Sequence, residues 1–104
     1  MGGDYYGAIL LLQQSIRATP DDAEAWYLLG CCQERNPQWK REATESFQHS
    51  LSIDPNNTEV LISLGDLYKS EGLISRAQSC YEDALKIAAD NQQAKSRLAG
   101  LKKR

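Results

Sequence analysis

The sequence has no long apolar run, little charge imbalance, and one histidine, and each shortage closes off a class of function. Its longest aliphatic stretch, Ala8-Ile9-Leu10-Leu11-Leu12, has five residues; a bilayer-spanning helix needs about 20. The stretch also lacks the basic flank of a secretory signal. Met1-Gly2-Gly3-Asp4-Tyr5-Tyr6 begins like a myristoylation signal but puts Tyr6 where Ser or Thr is wanted; Met1 and Gly2 read as a start codon or cloning remnant. A net charge of −2 gives no global field towards nucleic acid, so neither a membrane nor a nucleic-acid partner is expected. The three cysteines, Cys31, Cys32 and Cys80, are odd in number and two are adjacent, which is not a disulfide framework. They read as small buried thiols in a reducing compartment, with the cytoplasm the expected location.

Catalytic signals are missing too. His49 is the only histidine, and it falls on the outward side of a predicted helix. A metal needs several N or S ligands converging. Cys31 and Cys32 are too close in sequence to chelate well together, and Cys80 lies in another segment. There is no Gly-rich phosphate loop, nucleophile elbow or helical zinc-ligand pair. The expectation is a non-enzyme with no cofactor and no metal. What is present is ordinary: 41% hydrophobic and 25% charged residues, close to a soluble globular average, in one domain of 104 residues.

The informative feature is internal repetition. Pro20-Asp21-Asp22-Ala23-Glu24-Ala25-Trp26-Tyr27-Leu28-Leu29-Gly30 matches Pro55 through Gly65 at an offset of 35, and a weaker copy runs from Ala89 to Ala99. Between these, Ala8, Leu12 and Ser15 align with Ala43, Phe47 and Ser50, then with Ala77, Tyr81 and Ala84. Repetition at this period means stacked supersecondary units. Each unit reads as two helices. Trp26, Leu29, Gly30 and Gln33 share one face of the first, as do Leu61, Leu64, Gly65 and Tyr68. Ala43, Phe47, Ser50 and Leu51 then define the second helix, as do Ala77, Tyr81, Ala84 and Leu85. Asp21, Asn56 and Asp90 are expected N-caps, with Glu24, Glu59 and Gln93 three residues on. Gly72 marks one inter-helix turn; Asn36-Pro37-Gln38-Trp39, one residue longer, marks the other.

Trp26, Leu29, Gly30, Ala43, Phe47 and Pro55, then Leu64, Gly65, Tyr68, Ala77 and Tyr81, resemble the tetratricopeptide-repeat (TPR) pattern. The departures are Gln33 for Tyr, Leu61 for Trp and Ala89 for Pro. The resemblance covers nearly the whole chain. It implies an all-α fold, a right-handed superhelical α-solenoid of stacked helix-turn-helix repeats with about six helices. Residues 4–19 read as a half-repeat, 21–55 and 56–89 as full repeats, and 90–104 as a closing helix made polar by Lys95, Arg97, Lys102, Lys103 and Arg104. The opening helix is apolar around much of its circumference, through Tyr5, Tyr6, Ile9, Leu10, Leu11, Leu12 and Ile16. Two explanations stand. The chain is a piece of a longer array, or Tyr6, Ile9 and Leu10 form a self-association face that gives a homodimer.

In the TPR family, first helices line a concave groove that takes an extended peptide or partner helix. The resemblance implies a protein-interaction module, a scaffold or adaptor. At the spacing of the repeat, the groove positions are Glu24, Tyr27, Cys31 and Glu34, then Glu59, Ile62, Asp66 and Lys69, continued by Gln93, Ser96 and Lys103. That lining suits a protein or peptide partner with an apolar anchor and positive charge. The family's carboxylate clamp for chaperone tails needs Lys, Asn and Arg on successive first helices; with no Lys-plus-Asn pair in the first copy, no chaperone tail is expected. Nor do the repeats show the base-facing code of RNA-reading arrays.

Overall fold

The computed structural model describes residues 4–102. It contains α1 (Asp4–Ala18), α2 (Ala23–Gln33), a 3-10 turn (Pro37–Trp39), α3 (Lys40–Ile53), α4 (Thr58–Ser70), α5 (Ile74–Ile87) and α6 (Gln92–Lys102). No strand occurs among the described residues. Contacts divide the chain into two compact units, Met1–Pro55 and Asn56–Arg104.

In the first unit α2 packs on α1 and on α3. A Cβ built on Gly30 would lie 2.6 Å from Cε1 of Phe47. Only a residue without a side chain lets that ring, itself fully buried, approach the α2 backbone. In the second unit Gly65 stands in the same relation to Tyr81, again at 2.6 Å. Ala43 and Ala77, both fully buried, keep each second helix close to its partner. The turns differ. Gly72 has φ +80 and ends α4 in a Schellman motif, with Leu73 N–H donating to Tyr68 O at 2.9 Å and Gly72 N–H to Lys69 O at 3.0 Å. After α2, the Asn36 side chain instead accepts Gln38 N–H at 3.0 Å and starts the 3-10 turn that carries Trp39.

The N-caps sit one residue later than the sequence pattern places them. Asp22, not Asp21, accepts Ala25 N–H at 3.1 Å. Asn57, not Asn56, accepts from Glu59 and Val60. Asn91, not Asp90, accepts from Ala94. Residues 21, 56 and 90 belong to the preceding turns. Glu24, Glu59 and Gln93 are therefore one place too early for a capping box, although the carboxylates of Glu24 and Glu59 still face a helix N-terminus, worth about 0.3–1 kcal/mol each.

Helix α1 also corrects the opening-helix expectation. Ile9 is 7% exposed, part of the core of its unit, and so cannot belong to an association face. Its period-mates Leu12 and Ile16 are half-buried on the same side. Tyr6, Leu10 and Leu11 are 58%, 61% and 68% exposed.

Candidate functional site

Helix α2 separates two sets of side chains. Ala25, Leu29, Gly30 and Gln33 are buried, while Glu24 is exposed and Tyr27, Cys31 and Glu34 are half-buried. The expected groove positions of the first repeat thus form one accessible face. The Tyr27 ring leans on Phe47 with centroids 5.8 Å apart, which fixes one side of the ring against the core.

Helix α4 treats its four expected positions unequally. Glu59 and Lys69 are exposed. Ile62 is 5% exposed and belongs to the core; α4 also buries Val60, Leu61, Leu64, Leu67 and Tyr68, so little of its apolar surface is left for a ligand. Asp66 is half-exposed but engaged. One of its oxygens, Oδ1, accepts Arg97 Nε–H at 2.8 Å and the Tyr81 hydroxyl. It ties α4, α5 and α6 together and is no free carboxylate for a peptide. Burial, then its hydrogen bond to Asp66, raises the Tyr81 pKa, and Arg97's own hydrogen bond to Asp66 raises that of Arg97. On α6, Gln93 and Ser96 are exposed; Lys103 lies outside the described residues.

Three arrangements are absent from the sequence reading. The Tyr81–Asp66–Arg97 tie is one. Its trace is a pair of matched changes, Asp66 where the first repeat has Cys31, and Tyr81 where it has Phe47. The second is a stack of His49 on Trp26, centroids 3.9 Å apart and planes 17° from parallel, with Trp26 Nε1–H donating to Pro20 O at 2.9 Å. The third is an aromatic corner where Tyr6 meets Trp39 edge-on at 5.3 Å and Arg35 lies over Tyr5; the extra residue of the first turn brings Trp39 there.

Two of the thiols are shifted away from reactivity. Cys80 is buried, and burial with Asp83 nearby pushes its pKa up to about 11; burial also raises that of Cys32. A raised thiol pKa is the reverse of what a nucleophile needs. Among the described residues no three His, Cys, Asp or Glu side chains are grouped to hold a metal ion, and no helix is long and apolar enough to cross a membrane.

Two family models, both described as Tetratricopeptide repeat, match residues 2–58 and 41–101. A human PEX5-related protein is 36% identical over 84 residues, 81% of this chain and 13% of that protein. The chain therefore spans about an eighth of that relative's length. A thermophilic TPR protein of Thermus thermophilus superposes with a TM-score of 0.87 at 23% identity, over 95% of this chain and 50% of its own. The first TPR of Spaghetti (RPAP3), solved with an HSP90 peptide bound, gives 0.86 at 17% identity, over 95% and 78%. These likenesses show an all-α fold of the solenoid class.

Proposed function

Because the chain belongs to the tetratricopeptide-repeat family, we propose that it is a protein-interaction module that binds a peptide segment of a partner on the accessible face of α2. The observation that carries this reading is the division of α2, whose buried residues leave Glu24, Tyr27, Cys31 and Glu34 on the other side. The apolar anchor of the peptide falls to Tyr27 and Cys31, and its positive charge to Glu24 and Glu34. The chaperone peptide of the structural neighbour does not carry over, since no Lys-plus-Asn pair stands on the α2 face.

Panning a random peptide display library on the purified chain tests it. The expected outcome is an enriched set of basic peptides with one large apolar residue, whose affinity drops about tenfold on Tyr27→Ala, a change of about 1.4 kcal/mol. Failure to enrich, or binding indifferent to Tyr27→Ala and Glu24→Lys, contradicts it.

A second reading rests on Tyr6, Leu10 and Leu11 of α1, exposed apolar side chains that suit a second copy of the chain. Light scattering across a concentration series reads it directly. A dimer abolished by Leu10→Glu supports it, and a mass of 11.6 kDa at every concentration removes it. Ile9→Glu would test folding instead, because Ile9 is buried.

A further inference from the structure

Position 33 and its neighbour on the next helix set the two hairpins apart. In the second unit Tyr68 is buried, and the Arg76 guanidinium lies 5.8 Å from its ring centre. In the first unit the corresponding residues are Gln33 and Glu42. Gln33 is turned to Ser46, whose hydroxyl donates to its Oε1 at 2.6 Å. An aromatic ring has been lost and a cation has become an anion. A cleft of about 470 Å³ opens there between α1 and α3, floored by Trp26 and Leu29 of α2. A hollow of about 180 Å³ against Ile9 and Trp39 adjoins it; Gln13, Gln33 and Glu42 border both.

The walls of this cleft have a chemistry of their own. Trp26 and the His49 ring stacked on it both line the cleft. Glu42 and Glu45 stand less than one turn apart on the α3 rim, and Arg17 stands on the α1 rim. The ion pair of Glu45 with Arg41 is long, at 3.9 Å, and exposed, so it competes weakly for that carboxylate.

We propose that this cleft receives an arginine side chain of a partner protein. A guanidinium is planar, stacks on aromatic faces and pairs with carboxylates through a fixed fork of donors, and a tryptophan face is its best aromatic partner. The second hairpin holds such a contact within itself, Arg76 over Tyr68. In the first, Trp26, Glu42 and Glu45 line the cleft instead, and Arg17, the cation in its lining, stands on the opposite helix. The site uses the side of α2 away from Tyr27 and Cys31, so it is separate from the peptide face proposed above, and either can fail without the other.

The test is a nitrogen-15 NMR titration of a Trp39→Phe chain, which leaves Trp26 as the only indole, with N-acetylarginine methylamide. N-acetylcitrulline methylamide, of the same shape but uncharged, is the control. The expected result is a saturable shift of the Trp26 indole signal with the arginine compound and none with the citrulline compound. Glu42→Gln combined with Glu45→Gln weakens binding about tenfold, and Arg17→Ala strengthens it. Gln33→Tyr, which places in the first hairpin the residue the second already folds around, abolishes binding while the spectrum stays folded. No saturable shift, equal shifts from both compounds, or undiminished binding to Gln33→Tyr overturns the proposal.

Discussion

In the α2–α3 hairpin Gly30 admits the edge of Phe47 and in the α4–α5 hairpin Gly65 admits that of Tyr81; a Cβ added at either glycine would lie 2.6 Å from the ring. Beyond that contact the two diverge. The first hairpin is tied by side-chain hydrogen bonds within its own core, Ser46 to Gln33 and Ser50 to the Ala23 carbonyl at 2.8 Å. In the second, Tyr68, Cys80 and Ala84 occupy those three positions and are buried. Its polar tie has moved to Tyr81, Asp66 and Arg97 and recruits α6. The glycine–ring contact can be repeated because shape alone fixes it. The polar ties are particular to each copy, because a hydroxyl in the core needs a partner of its own and both must change together.

The comparison breaks most visibly at the rings. Phe47→Ala and Tyr81→Ala should each cost about 3–5 kcal/mol, read as lowered midpoints in urea unfolding; a much smaller loss in either would mean that the two contacts are not equivalent. Gly30→Ala and Gly65→Ala come next, each forcing a Cβ into a ring at a cost of about 1–3 kcal/mol, and near-equal losses would support one shared lock. The ties should then separate the hairpins. Ser46→Ala leaves Gln33 without its hydroxyl donor and should cost about 1 kcal/mol, whereas Cys80→Ala at the matching position removes no side-chain hydrogen bond among the described residues. Asp66→Ala loosens α6 as well, but Asp66 and Arg97 are both partly exposed, so the ion pair itself contributes about 0–1 kcal/mol; protection of α6 amides from exchange shows the effect better than the midpoint does.

The smallest effect at neutral pH is one that grows with alkali. Tyr81 and Cys80 both have raised pKa values when folded. Their neutral forms are favoured by the fold, so the stability they contribute is complete below their unfolded values of about 10 and 8.5 and is lost as pH rises through the folded ones, about 11 for Cys80. The residues matching them in the first hairpin, Phe47 and Ser46, do not titrate in this range. Urea midpoints at pH 8 and pH 10.5 should therefore fall further in the wild type than in the Tyr81→Phe, Cys80→Ala double variant; equal falls would contradict the assignment.

The repeating positions of Gly30, Gly65, Phe47 and Tyr81 were legible because their spacing recurs at fixed offsets, and spacing is what a sequence displays; that each glycine meets a ring shows only in the packing. The caps were displaced by one because each turn holds two consecutive cap-competent residues, Asp21-Asp22, Asn56-Asn57 and Asp90-Asn91. Only the backbone dihedrals choose between them; Asp22, at φ −87 and ψ 98, has the extended conformation of a cap. Ile9 and Ile62 were placed outward because a helix with apolar residues on several faces does not reveal which of them are covered. Asp66 was placed at the groove by its register, yet its partners lie 15 and 31 residues away, beyond the reach of helical periodicity. The Gln33 cleft was visible only as a departure from the repeat pattern. That the departure opens space depends on the neighbouring helices.

The central claim is that the α2 face carrying Glu24, Tyr27, Cys31 and Glu34 is where a partner peptide binds. The most direct measurement is an amide chemical-shift map of the chain with a display-selected peptide. The expected perturbations centre on Tyr27 and Cys31 and include Glu24 and Glu34 of the same helix. Perturbations confined to Tyr6, Leu10 and Leu11 of α1, with α2 unchanged, would contradict it.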